Sequence, residues 1–324
     1  MEKAKNRNLS GLILKSNTVI LFFILIVVIA VFSLINHNYF SLQNATNILY
    51  SATTVGLLAI GETFLIIGGH IDLSNSALAA LAGVIMAMLI QGDNGMAWPV
   101  ALILVILIGA VVGLVNSALA NIFNIQPFIA TLAVASICEG VGYLLSDGRP
   151  VSVTNRSFIN MGTFNLFDWL PVPAIILIVS FVVFGFILKK TTFGRKVYII
   201  GGNAEAAHLA GINPKHISTV LYVISSAIGA LVGIILAARM HTGAPTAAAG
   251  ADFDAITAAV LGGVAFTGGK GTMVGCFAGL MIIQCFSTGL SVIGVSSFWQ
   301  SVAKGLLLVM ALVIDYFRER TSKN

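Results

Sequence analysis

The sequence predicts an all-α membrane protein, a polytopic bundle of about ten transmembrane helices in a single domain covering residues 1–324. Three observations predict this fold class. Hydrophobic residues make up 58% of the chain and charged residues only 9%, whereas soluble domains carry about 25% charged residues. The mean hydropathy is +0.99. Apolar runs recur along the whole sequence, most of them long enough to cross a bilayer.

Taken in order, these runs predict ten spans, since a crossing needs roughly 20 mostly apolar residues. The first run follows a basic flank and exceeds the apolar core of a cleaved signal peptide, so we expect an uncleaved span. The eighth run is short and interrupted by glycines, which favours a broken or partial span. The ten runs are 17–35, 47–67, 72–90, 98–120, 127–146, 171–188, 217–238, 252–267, 272–291 and 297–315.

The basic residues predict the orientation. An even number of spans puts both termini on one side, and placing them in the cytoplasm puts most Lys and Arg there, as the positive-inside rule requires. Only Arg149, Arg156 and Arg239 then fall in outer loops. The cytoplasmic set is Lys3, Lys5, Arg7, Lys15, Lys189, Lys190, Arg195, Lys196, Lys215, Lys270, Arg318, Arg320 and Lys323.

Small residues four apart predict close helix packing within the bundle. In lipid, association relies on close backbone approach, which such spacing permits. The pairs are Gly109/Gly113, Gly229/Gly233 and Gly275/Gly279.

One polar segment, about 189–216, interrupts the apolar pattern. Its Glu205-Ala206-Ala207 stretch favours helix, and Gly211 followed by Asn213 and Pro214 ends it. The segment therefore predicts a short amphipathic helix at the cytoplasmic surface. This helix either binds a partner protein or lies on the lipid headgroups.

Two glycine-rich turns separate predicted spans. In Gly68–Ser74, Asp72 and Ser74 are expected to cap the next helix. The stretch 261–272 resembles a phosphate-binding loop, but Val264 and Gly271 stand where that pattern needs Gly and Ser or Thr. We therefore expect no nucleotide site, and treat the echo between Gly68-Gly69 and Gly268-Gly269 as a matter of composition.

Charges inside spans are costly and point to a functional or paired role. Glu62, Glu139 and Lys304 are the three candidates, and Lys304 is expected to pair with one of the two glutamates. No catalytic triad or metal spacing accompanies them, and the cysteines Cys138, Cys276 and Cys285 fall in apolar runs. An intramembrane enzyme therefore lacks support.

The outer loop 147–170 is expected to be either a docking surface for a partner protein or a connector that lies along the lipid headgroups.

Over nearly its whole length, the chain resembles the membrane-spanning permeases of bacterial ATP-binding-cassette sugar importers of the ribose/galactose/xylose type. Four stretches carry the resemblance: Gly-x-Ile-Asp-Leu-Ser at 69–74, Phe193-Gly-Arg with Gly-Gly-Asn-x-Glu-Ala-Ala at 201–207, Leu-Gly-Gly-x-x-x-x-Gly-Gly-Lys-Gly at 261–271, and Gly-Val-x-x-x-Trp-Gln at 294–300.

The resemblance implies a homodimer, or a pair with a sister permease, in the bacterial inner membrane. It implies a cytoplasmic ATP-binding subunit, which would hold the ATP and Mg²⁺, and a periplasmic substrate-binding protein. This chain would bind no cofactor, metal or nucleic acid. The residues implied to form a coupling helix against the ATPase are Gly201, Gly202, Asn203, Glu205, Ala206, Ala207 and Gly211.

A sugar pathway is expected to be lined by small polar and aromatic groups. Position and chemistry select Asn47, Phe64, Asn116, Phe128, Thr131, Glu139 and Trp299. The alternatives are an importer permease for a nucleoside, a branched-chain amino acid or an autoinducer-type furanose, and a proton-coupled secondary transporter that uses Glu62, Glu139 and Lys304.

Overall fold

The computed structural model describes residues 17–92 and 94–323, and they are almost wholly helical. The predicted cytoplasmic residues Lys3, Lys5, Arg7 and Lys15 lie outside the described residues, as do the side chains of Arg318, Arg320 and Lys323. The helices are α1 Asn17–Ile35, α2 Leu42–Ile67, α3 Asn75–Leu89, α4 Trp98–Asn121, α5 Pro127–Ser146, α6 Arg156–Thr163, α7 Val172–Lys190, α8 Thr192–Gly202, α9 Ala204–Leu209, α10 Pro214–Met240, α11 Ala251–Leu261, α12 Met273–Val292 and α13 Ser297–Lys323.

Each of the ten predicted runs coincides with one of these helices, which confirms a polytopic all-α membrane protein. Seven of them (α2, α4, α5, α7, α10, α12 and α13) contain a stretch long and apolar enough to cross a membrane. The apolar parts of α1 and α3 are shorter, and α11 has only 11 residues. The number of ten crossings therefore stays a prediction.

Helices α2 and α10 form the centre of the bundle. Their most apolar windows are 83% and 72% buried, whereas the corresponding windows of α4, α5 and α7 are less than a third buried. Helix α10 packs against α2, α3 and α4, and α12 packs against α1, α2 and α11. The outer helices therefore turn most of their apolar surface towards lipid.

The paired glycines lie where helices meet, as predicted. A Cβ added to Gly113 of α4 would lie 2.6 Å from the carbonyl oxygen of Tyr222 in α10. A Cβ on Gly233 of α10 would overlap the carbonyl oxygen of Ala79 in α3, and one on Gly279 of α12 would overlap that of Ala258 in α11. These contacts let backbone touch backbone, which is how helices associate closely in lipid.

The outer loop 147–170 is folded rather than extended along the bundle. Strand β1 (Val151–Ser152) pairs antiparallel with β4 (Thr242–Gly243), which directly follows α10. Strands β2 (Asn165–Leu166) and β3 (Leu170–Pro171) form a second antiparallel pair. Helix α6 buries Phe158 completely against the bundle. Three aromatic side chains of the loop stay exposed: Phe164, Phe167 and Trp169.

We expect Gly233→Ala to destabilise the protein, because overpacking a close contact costs about 1–3 kcal/mol. The matched control is Gly140→Ala in α5, where an added Cβ meets nothing within 4 Å. Both substitutions gain the same helix propensity, so their difference isolates the steric conflict. Thermal unfolding of the detergent-purified protein measures it. Equal melting temperatures for the two variants would contradict this packing.

Candidate functional site

A cluster of polar side chains lies deep between α2, α3, α4, α5 and α10, and we call it the polar node: Glu62, Asp72, Ser74, Asn75, Asn116, Thr131 and Ser225. All seven are buried. Asn75 donates to the Ser225 hydroxyl at 2.9 Å, and Ser225 lies 11 residues into α10. That corresponds to about 16 Å of helix axis, so this contact lies well inside a helix that is long and apolar enough to cross a membrane.

The polar node exists because residues 70–74 are not helical. Irregular backbone at this depth is tolerated only where it is buried in protein and its polar groups are satisfied. Asp72 accepts from the backbone N–H of Ser74 at 2.9 Å and from its hydroxyl at 2.5 Å. Asn116 donates to Asp72 at 3.1 Å, and the Leu73 N–H donates to Thr131 Oγ1 at 3.2 Å.

The first turn of α3 is capped from another helix. The carboxylate of Asp252, in the first turn of α11, accepts from the Ser76 N–H at 2.9 Å and from the Ser76 hydroxyl. Ser74 occupies the N-cap position but makes no capping bond with its side chain. The expectation that Asp72 and Ser74 cap α3 is therefore wrong. The Ser74 hydroxyl is already engaged by Asp72 and Asn116.

The intramembrane charges pair differently from the expectation. Lys304 of α13 forms its ion pair with Asp254 of α11, at 2.6 Å. The predicted pairing with Glu62 or Glu139 is wrong, because α13 packs alongside α11 and α12. Glu62 instead accepts from Asn75 at 3.3 Å inside the polar node.

A cavity of about 220 Å³ lies beside the polar node, between α3, α5 and the segment that leads into α11. Four of its lining residues are polar: Ser76, Glu139, Thr246 and Asp252. Hydrophobic or small side chains form the rest of the wall. Carboxylate and hydroxyl oxygens thus converge on a small space within the membrane.

The polar segment 189–216 contains the predicted short helix, α9. The Asn203 side chain caps it by accepting from the Ala206 N–H at 2.9 Å. Ala207 is fully buried, whereas Glu205 is exposed. Gly211 follows with a left-handed φ of +80°, which glycine adopts at little cost. The chain then enters α10. The Asn213 side chain caps this helix by accepting a hydrogen bond from the His216 N–H.

Helix α8, in the same segment, is not predicted from the sequence. Its basic residues and terminal glycines suggested a loop. A usable signal was present, because Phe193, Val197 and Ile200 recur at helical spacing and pack into the core. Thr191 also caps the helix by accepting from the Gly194 N–H.

Three Gly-Gly pairs meet at the base of the bundle, and we call this contact the glycine junction: Gly68-Gly69, Gly201-Gly202 and Gly268-Gly269. Gly201 lies directly against the carbonyl of Ile67, with no room for a Cβ. The Gly269 N–H donates to that same carbonyl at 2.8 Å. The interpretation of the Gly-Gly echo as mere composition is therefore wrong. It marks two turns that both contact the end of α8.

The predicted pathway residues fall into three environments. Asn116 and Thr131 belong to the polar node. Phe64 is 1% exposed and packs against Phe184 and Phe193, so it belongs to the core in this conformation. The remaining four are exposed on the bundle: Asn47, Phe128, Glu139 and Trp299. Their role in a pathway stays a prediction.

Residues 44–312 match the family described as branched-chain amino acid transport system / permease component. The chain belongs to this permease family. The ribose import permease protein RbsC of Bacillus subtilis is 37% identical over 314 residues, which cover 96% of this chain and 95% of that protein. The L-arabinose ABC transporter permease protein AraH of Azospirillum brasilense is 34% identical over 307 residues, which cover 95% and 89%. The probable ABC transporter permease protein YphD of Escherichia coli is 37% identical over 311 residues, which cover 92% and 91%.

No solved structure matches this permease. The relatives are transport permease subunits rather than enzymes, in agreement with the expectation from the sequence.

The ion pair between Lys304 and Asp254 is expected to contribute to stability. Lys304→Met leaves a carboxylate that is 15% exposed without its cation, and we expect a loss of about 1–3 kcal/mol in unfolding free energy. Adding Asp254→Asn to Lys304→Met should recover part of the loss. Thermal unfolding of both single variants and the double variant measures the coupling. Strictly additive effects would show that the pair contributes nothing.

Proposed function

We propose that this chain is the membrane-spanning permease of an ATP-binding-cassette importer that carries a monosaccharide. The observation that carries the proposal is similarity along almost the full length to proteins named as ribose and L-arabinose permeases. The polar node and the neighbouring cavity supply oxygen-rich groups within the membrane, which suit a polyhydroxylated solute.

The ATP-binding subunit is proposed to dock on α9 and its flanks. The surface formed by Gly202, Asn203, Glu205, Ala206 and Gly211 is exposed. Leu209, at the end of α9, is 84% exposed. An exposed aliphatic side chain on a capped helix is a suitable contact for a groove in a partner. ATP and Mg²⁺ would be bound by that partner.

The glycine junction supports transmission of movement from α9 into the bundle. Helix α8 precedes α9 directly and ends in Gly201-Gly202, which contact the turns after α2 and before α12. The Tyr198 hydroxyl also donates to the Gly271 carbonyl at 2.8 Å. A displacement of α9 therefore acts on the ends of two core helices through direct backbone contact.

The translocation pathway is proposed to pass the exposed face of α5. This face presents Ser136 and Glu139 outside the protein core. A carboxylate facing hydrocarbon would be costly, so we infer that the face borders an aqueous passage at the interface with a second permease copy. Glu139 would accept hydrogen bonds from sugar hydroxyls there, whereas both oxygens of the buried Asp252 are engaged by Ser76.

The remaining topology follows from the same proposal. Both termini and α9 lie in the cytoplasm, and the folded outer loop 147–170 faces the periplasm. Its exposed Phe164, Phe167 and Trp169 offer a contact for a substrate-binding protein. A proton-coupled secondary transporter is disfavoured, because its proposed relay is dispersed: Lys304 pairs with Asp254 and Glu62 is enclosed in the polar node.

Glu205→Arg is expected to abolish copurification of the cognate ATP-binding subunit. The side chain is exposed, so reversal of its charge should leave folding unchanged while placing a cation in the docking surface. The control is Asp147→Arg, which also replaces an exposed carboxylate by a cation, at the end of α5 away from α9. Retention of the ATPase by Glu205→Arg, or equal loss in the control, would refute the docking surface.

Glu139→Gln is expected to reduce sugar uptake by about 10-fold, because a hydrogen bond to a charged group contributes about 1.5–3 kcal/mol. Copurification of the ATPase should be unaffected. Ser136→Ala, on the same exposed face, serves as the control with a smaller effect. Uptake of radiolabelled ribose and L-arabinose into proteoliposomes with the complete importer measures both. Unchanged uptake of the transported sugar would remove Glu139 from the pathway.

A further inference from the structure

A groove of about 770 Å³ runs along the outside of the bundle between α7 and α12. Its wall is apolar for most of its length and basic at one end. The lining residues are Ile178, Phe181, Val182, Gly185, Phe186, Leu188, Lys189, Lys190, Tyr198, Thr272, Met273, Val274 and Phe277.

The groove matches one leaflet of a bilayer. Ile178 lies 12 residues before Lys190 in the continuous helix α7, which corresponds to about 18 Å of axis. The hydrocarbon core is ~30 Å thick, so the groove covers roughly the cytoplasmic half. Gly185 contributes no side chain to the wall, and a Cβ there would lie 3.4 Å from the Cβ of Met273 in α12.

Positive charge gathers at the cytoplasmic end of this groove. Lys189 and Lys190 are both exposed at the end of α7. The N-terminus of α12, which carries the partial positive charge of the helix dipole, begins at Met273 on the wall of the same groove. Among the described residues that line the groove, none is acidic.

We propose that this groove is a binding site for an anionic phospholipid. One acyl chain lies along the apolar wall formed by Ile178, Val182 and Phe186, and the phosphate of the headgroup lies between Lys189 and Lys190. Basic pockets between helices at the cytoplasmic side are suited to such headgroups. The inference goes beyond the transport function and rests only on the membrane placement of α7 and α12.

The site gives the two lysines a role distinct from ATPase docking. They lie on the lipid-facing side of α7, and the exposed residues of α9 are more than ten positions further along the chain. A lipid at this groove also contacts Tyr198, whose hydroxyl donates to Gly271 beside the glycine junction. Lipid binding would therefore stabilise the contact between α8 and the N-terminal end of α12.

The test is native mass spectrometry of the full-length permease, purified in neutral detergent and titrated with phosphatidylglycerol or phosphatidylcholine of identical chains. We expect tighter retention of phosphatidylglycerol by the wild type. In Lys189→Ala/Lys190→Ala, its affinity should fall on the order of 30-fold, since each basic residue near an anionic surface contributes about fivefold. Binding of phosphatidylcholine should not change.

The matched control is Arg195→Ala/Lys196→Ala, which removes the same charge from exposed positions of α8 that do not line the groove. It should retain phosphatidylglycerol. Val182→Trp tests the apolar wall without altering charge, and it should weaken both lipids because Val182 is 67% exposed in the groove.

Three results would overturn the proposal. The first is equal retention of the two lipids by the wild type. The second is an equal loss in the Arg195→Ala/Lys196→Ala control. The third is unchanged retention of phosphatidylglycerol in Lys189→Ala/Lys190→Ala.

Discussion

The structure depends on one constraint: the backbone between α2 and α3 is not helical although it is largely buried inside the bundle. Polar backbone that is removed from water needs partners inside the protein. Asp72 supplies one from within the segment, and Asn116 of α4 and Thr131 of α5 add partners from two neighbouring helices. Asp252 caps the helix that follows. Helices α4, α5, α10 and α11 are thereby held around a break in the chain.

The same break creates the chemistry that a permease needs. A continuous apolar helix would offer a solute nothing but hydrocarbon. By ending α2 at Ile67 and restarting at Asn75, the chain exposes the first turn of α3 to side chains of α11. The cavity that holds Glu139 and Asp252 lies against this first turn. The polar groups that stabilise the break and those that line the cavity are therefore neighbours in the structure.

Glycine residues connect this interior to the polar segment 189–216. At Gly201 no side chain fits against the carbonyl of Ile67, and Gly269 shares that carbonyl through its N–H. When two backbones are in direct contact, a movement of one helix displaces the other. Long side chains between them could instead change rotamer and leave the second helix in place. Helix α8, which leads to α9, therefore contacts two turns. One is the turn at Gly68-Gly69 that precedes the polar node, and the other is the turn at Gly268-Gly269 that precedes α12.

From the sequence follow the class of protein, the positions of the ten long apolar runs, the short helix α9 and the close contacts of the paired glycines, whereas α8 escaped prediction. These properties are local or follow from composition, because hydropathy and helix termination act over a few residues. Tertiary structure alone decided that Lys304 pairs with Asp254, that Asp252 caps α3, that Phe64 is core, and that three Gly-Gly pairs converge. Those contacts join residues 50 to 200 positions apart. Which side chains meet over such separations is set by how the helices pack, and helical periodicity does not encode it.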